Sequence, residues 1–190
     1  MTTSAAAVRK RTFVSFAGGF RGALPRRAAR KGRALAAAGL AALVVATGAA
    51  RCDTFSQGRA AFARGDYVRA ARHLGPLAQA GNARAQAMLG FLYENGFGVP
   101  QAYDAAVDLY FLAAEHGDPS GQYLLGLMYD KGHGVERNDI LAYKWLDLAA
   151  ARASGREREN YIKIRAAVAS KMTANEIREA QWQALNWRPH

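Results

Sequence analysis

Apolar residues recur between residues 82 and 153 with helical spacing, and the arrangement comes twice. Ala85, Met88, Leu89, Leu92 and Tyr93 fall at i, i+3, i+4, i+7 and i+8, which is one face of a 3.6-residue period. Gly121, Leu124, Leu125, Met128 and Tyr129 repeat that stripe 36 residues later. A second stripe follows each: Ala106, Leu109 and Ala113, then Ala142, Trp145 and Ala149. The pattern predicts two helical hairpins of one design, with small Ala at each crossing and Leu109 or Trp145 filling the seam. Between the stripes stand Gly96-Phe97-Gly98-Val99 and Gly132-His133-Gly134-Val135. Paired glycines supply the backbone shapes that end one helix and reverse the chain, with the valine tucked beneath. The second helices are expected to begin near Gln101 and Asn138, the latter a good N-cap. Gly90 and Gly126 lie inside the first helices, where glycine costs about 1 kcal/mol relative to alanine. Their recurrence predicts a neighbouring helix too close to leave room for a Cβ.

A looser unit precedes these two, over residues 54–81, with the short turn Gly65-Asp66-Tyr67 in place of the double-glycine loop. Ala70 and Gly81 keep the 36-residue register with Ala106 and Gly117. Repetition at this period marks a stacked-repeat architecture. The units are therefore set at 54–81, 82–117 and 118–153, within a repeat region over 53–153. Asp118-Pro119 opens the third unit as an N-cap followed by Pro at the first helical position. From residue 154 the repeat stops. Ser154-Gly155-Arg156-Glu157 and Thr173-Ala174-Asn175-Glu176 both have capping-box spacing, which predicts helices over about 156–171 and 174–187. Arg156, Arg158, Glu159, Lys163, Arg178 and Glu179 give them polar outer faces. Residues 154–190 thus read as a cap closing the last repeat, with Trp182, Leu185 and Trp187 expected to dock back onto it.

Charge changes the picture at the N-terminus. The net charge of +11 rests on ten Lys/Arg and no acid within residues 1–51. From residue 52 onward sixteen basic residues face fifteen acidic ones, so the folded part carries no footprint for a phosphate backbone, and nucleic acid is not an expected partner. Residues 1–51 read as a targeting segment: a basic region, then an apolar stretch over 34–50 ending in small residues. Cleavage after Ala50 would place the mature protein in the periplasm. The stretch is short for a spanning helix, yet a retained anchor in the inner membrane stays open. So do a start site downstream of Met1, a twin-arginine signal at Arg26-Arg27 and a mitochondrial transit peptide. Cys52 is the single cysteine. Arg51 departs from the small residue that lipoprotein processing needs before it, and one thiol forms no internal bridge.

The string Ala-x-x-x-Leu-Gly-x-x-Tyr-x-x-Gly-x-Gly-Val from Ala85 to Val99, with its echo through Tyr129, Gly132 and Val135 and the run Ala142-x-x-Trp145-x-x-x-Ala149-Ala150, resembles the Sel1-like repeat, a relative of the tetratricopeptide repeat. Leu109 stands where the pattern prefers Trp, Ala102 where it prefers Asp or Asn, and Ala153 where it prefers Gly. The C-terminal run from Met172 to Pro189 is similar to the ending of many exported bacterial members. The resemblance implies an all-α fold, a right-handed α-solenoid of helix-turn-helix units. It implies a non-enzymatic scaffold or adaptor that binds a partner protein in the cell envelope. A membrane-tethered assembly factor is one alternative. A cell-wall-acting enzyme is another, by analogy with a cysteine-rich branch; that branch has cysteine pairs inside its repeats, which this chain lacks.

Chemistry-bearing residues form no readable constellation. His73, His116, His133 and His190 are scattered, and His133 holds the place of Phe97 in the preceding unit. Asp104 and Asp108 at i, i+4 suit a solvated face better than acid–base work. Ser120 follows a helix start rather than a nucleophile elbow. No catalytic residue, cofactor site or metal site is therefore assigned. The candidate partner-binding residues are Phe91, Tyr123 and Leu127, apolar side chains off the main stripes of the first helices. In related solenoids the first helices line a concave face, where such residues would meet a partner's peptide.

Overall fold

A computed structural model of the chain describes residues 54–189. These residues hold eight helices and no strand: α1 (54–63), α2 (Tyr67–Gln79), α3 (Ala83–Asn95), α4 (Tyr103–Glu115), α5 (Pro119–Lys131), α6 (Asp139–Arg152), α7 (Gly155–Ala169) and α8 (Ala174–Asn186). The targeting segment 1–51, Cys52 and His190 lie outside the described residues. Local chemistry sets the helix ends. Asp66, Asn82, Asp118 and Asn138 each accept a hydrogen bond from the backbone N–H three residues on, which satisfies one of the open donors of a first turn. Ala102 holds the equivalent place before α4 and offers no such bond. That helix starts at Tyr103, slightly later than the expected Gln101.

Each hairpin packs its second helix on its own first helix and on the first helix of the next unit; α3 also touches α5 directly. The stack is an α-solenoid. Glycine sets the spacing inside each hairpin, as the recurrence predicted. A Cβ on Gly90 would lie 2.7 Å from the Tyr110 ring and 3.2 Å from the Ala106 carbonyl oxygen. On Gly126 it would lie 2.9 Å from Leu146 Cγ and 3.2 Å from the Ala142 carbonyl. The first hairpin repeats the device where the fixed register hides it. A Cβ on Gly58 would lie 3.0 Å from the Leu74 side chain, and Leu74, Tyr110 and Leu146 are spaced by 36. Gly58 sits off that register because the turn before α2 is shorter. Tyr110 and Leu146 are fully buried. Burial drives the Tyr110 hydroxyl pKa up, and its hydrogen bond to Glu94 Oε2 at 2.7 Å pushes the same way.

The double-glycine loops do more than reverse the chain. Gly96 and Gly132 cap α3 and α5 in the left-handed conformation. Gly98 and Gly134, at φ 69°, seat on the preceding unit. A Cβ on Gly98 would stand 2.5 Å from the Tyr67 carbonyl carbon, and one on Gly134 would stand 2.7 Å from that of Tyr103. Each loop therefore plugs onto the first turn of the previous unit's second helix. Val99 and Val135 pack beneath, against the two main core clusters. Between units, the Gln86 and Gln122 side chains donate to the carbonyls of Ala78 and Ala114.

The C-terminal pair departs from the repeat. Both α7 and α8 pack chiefly on α6, through Val168 and Ala180 against Ala142, Tyr143 and Leu146. The Thr173 capping box forms in full, whereas Ser154 makes no side-chain cap bond. Gly155, at φ 54°, carries the turn into α7. Of the three apolar residues expected to dock, only Trp187 does. Its ring meets Trp145 edge-on at 6.0 Å, lies under the Arg152 guanidinium at 4.6 Å and donates to Glu115 Oε1 at 3.3 Å. Trp182 and Leu185 are 62% and 77% exposed. Ala180 and Ala184 take the buried face of α8 instead, because small side chains let it lie close on α6.

Candidate interaction surface

The odd-numbered helices share one face, and a depression of about 410 Å³ runs across it. Its floor is Phe55 on α1, Ala87 and Met88 on α3 and Pro119 at the start of α5. Arg59 of α1 and Arg84 of α3 border it, as do Asp118 before α5 and Glu157 of α7. Glu157 also borders a second depression of about 470 Å³ along α7, beside Asn160, Tyr161 and Lys163. The first depression thus spans the first helices of successive units, and the second lies on α7 of the cap. Burial raises the pKa of the Tyr161 hydroxyl, and the nearby Ser120 hydroxyl offsets part of the rise.

Phe91, Tyr123 and Leu127 are not among the residues that line either depression. Phe91 is half-buried in an aromatic cluster, edge-on to Phe62 at 5.7 Å and Phe97 at 6.1 Å, with Phe97 stacked on Tyr67 at 4.7 Å. Tyr123 is half-buried and stacks on Tyr161 at 4.3 Å and 18°. Leu127 is half-buried one turn beyond Tyr123. No ring contact joins Phe91 to Tyr123. The open floor lies at Ala87 and Met88, one turn before Phe91. Ala87 is the register equivalent of Tyr123.

The remaining polar residues have local roles. His133 rests its ring on Tyr103 at 4.9 Å. His116 Nδ1 lies 2.7 Å from the Leu112 carbonyl of its own helix. Asp104 and Asp108 are exposed on α4. Among the described residues, no cluster of three or more His, Cys, Asp or Glu is arranged to hold a metal ion. None of the described helices is long and apolar enough to cross a membrane.

Stacked hairpins with a groove on their first helices define an α-solenoid of the tetratricopeptide-like kind. Residues 83–118 and 119–154 each match the family model of the Sel1 repeat, so the chain carries two consecutive Sel1 repeats. A protective antigen present in uropathogenic Escherichia coli strains, displaying an SLR fold, is 25% identical; the match covers 72% of this chain and 29% of that one, with a TM-score of 0.66. A Sel1 repeat protein from Oxalobacter formigenes is 32% identical over 56% of this chain and 44% of its own, with a TM-score of 0.52. The chain thus spans less than half the length of either. No curated protein matches it. Sel1 repeats serve in general as scaffolds for protein–protein contacts.

Proposed function

We propose that this protein is a non-enzymatic adaptor of the bacterial cell envelope, which holds a segment of a partner protein in the groove of its odd-numbered helices. The groove carries the reading: an apolar floor contributed by consecutive units, left open between charged rims, is what a stacked-repeat scaffold offers a partner. The envelope assignment rests on the basic leader and the apolar stretch over 34–50. A photo-crosslinking residue placed at Met88 tests the first part in the native organism. The same residue at Asp108, on the opposite side, serves as control. One defined adduct at Met88 and none at Asp108 is the expected result; equal labelling at both sites overturns the reading. N-terminal sequencing tests the second part. A mature chain beginning near Arg51 fits export, and a retained leader fits a membrane-tethered assembly factor. The same apolar stretch motivates that second reading.

A further inference from the structure

We infer that the groove accepts a peptide segment in which acidic residues flank a large apolar side chain, with the acidic end lying over α1 and α3. The inference rests on the adaptor reading and adds the chemistry of the partner. Arg59 and Arg84 project from neighbouring first helices onto one depression. Both are exposed, and among the described residues neither makes an ion pair, so both charges are open to a ligand. Charge is also polarised along the solenoid. Residues 54–100 hold five arginines against two acids, and residues 101–153 hold four bases against eight acids. An anionic segment is therefore drawn to the α1–α3 end and repelled toward α5. Asp118 and Glu157 line the same depression from the α5 and α7 side and set the direction of the bound chain. Phe55, Ala87 and Met88 lie between the rims. Met88 adapts its shape to a bulky guest, which favours an apolar anchor beside the carboxylates. Anionic lipid fits less well, because a bilayer surface does not reach the floor of a concave groove.

Selection of a random peptide display library on the full chain tests this directly. Enriched peptides should carry Asp or Glu next to Leu, Ile, Phe or Met. Their affinity should fall roughly tenfold for Arg59→Glu or Arg84→Glu, and more for both together. Arg72→Glu, on α2 outside the groove, should change it little. Vesicles of phosphatidylglycerol should not compete. Enrichment of neutral or basic peptides, acidic peptides indifferent to both groove reversals, vesicle competition, or no enrichment at all each overturns the inference. If the Met88 adduct still forms in cells, the adaptor reading survives that outcome. If the adduct fails as well, both fall.

Discussion

In the two Sel1 hairpins, helix backbones lie against side chains and carbonyls with no Cβ between them, at Gly90 and Gly126. In the C-terminal pair, α7 and α8 reach α6 through Val168, Ala180 and Tyr161, and the tail is fixed by the single ring of Trp187. The first kind of contact tolerates almost no added volume, since close-packed interiors feel one methylene. The second spreads its contacts over larger side chains that have alternative rotamers. The repeats are thus held by backbone proximity, the cap by anchors. Substitutions should behave differently in the two regions.

The largest expected effect is at the loops. Gly134→Val forces a β-branched residue to positive φ and drives its Cβ into the Tyr103 backbone. We expect a loss of about 3 kcal/mol or more in denaturant unfolding, from the left-handed strain and the overpacking together. Gly81→Ala gives the contrast. That glycine also sits at positive φ, but a Cβ there would meet open space, so the change should cost only the left-handed strain, about 1–2 kcal/mol. If both variants lose the same stability, close backbone approach is not what distinguishes the loops.

Next comes the buried staple between repeats. Gln122 is fully buried, donates to the Ala114 carbonyl, and leaves its own Oε1 without a partner. Gln122→Glu places a carboxylate there, facing a carbonyl. Its folded pKa should rise above the ordinary value, so the variant should lose stability as pH climbs through the carboxylate range, by about 3 kcal/mol at neutral pH. Gln122→Met removes the orphaned oxygen along with the bond; Ala114 O keeps the Gly117 N–H, and the net change should stay within about 1 kcal/mol. Melting curves at pH 4 and pH 8 separate the two.

In the cap, Trp187→Ala should cost about 2 kcal/mol, less than a fully buried tryptophan, while Trp182→Ala, on the helix just before it, should cost under about 0.5 kcal/mol. Thermal unfolding of the pair checks whether one anchor holds the tail. The smallest effect belongs to Glu176, whose carboxyl is held below the usual range by hydrogen bonds from the Thr173 N–H and hydroxyl. A depressed folded pKa contributes stability above the ordinary carboxylate value and loses it as pH falls through the lowered one. Glu176→Gln should therefore shift the unfolding midpoint slightly at pH 7 and not at pH 3.

The repeated hairpins were legible because each recurring residue has a packing role that spacing alone reveals. Gly58 escaped that reading: its role is the same, but a shorter turn displaced it from the 36-residue register. The cap was half legible. Its helices follow from capping residues, yet nothing in a local pattern says that Ala180 and Ala184, rather than Trp182 and Leu185, meet α6. That choice depends on the angle at which α8 crosses, a property of the neighbour. Phe91 and Tyr123 looked free because they lie off the stripes. Partners distant in sequence, Phe62 and Tyr161, cover them.

The loop that plugs onto the preceding helix has one further consequence. Gly98 seats on Tyr67 and Gly134 on Tyr103, so plug and socket are the same chemical pair at both joints. A whole unit duplicated or excised between equivalent positions would leave every joint with its native partners. The solenoid is in this sense a chain of interchangeable couplings, whose length can change by complete units while its ends and their surfaces stay as they are.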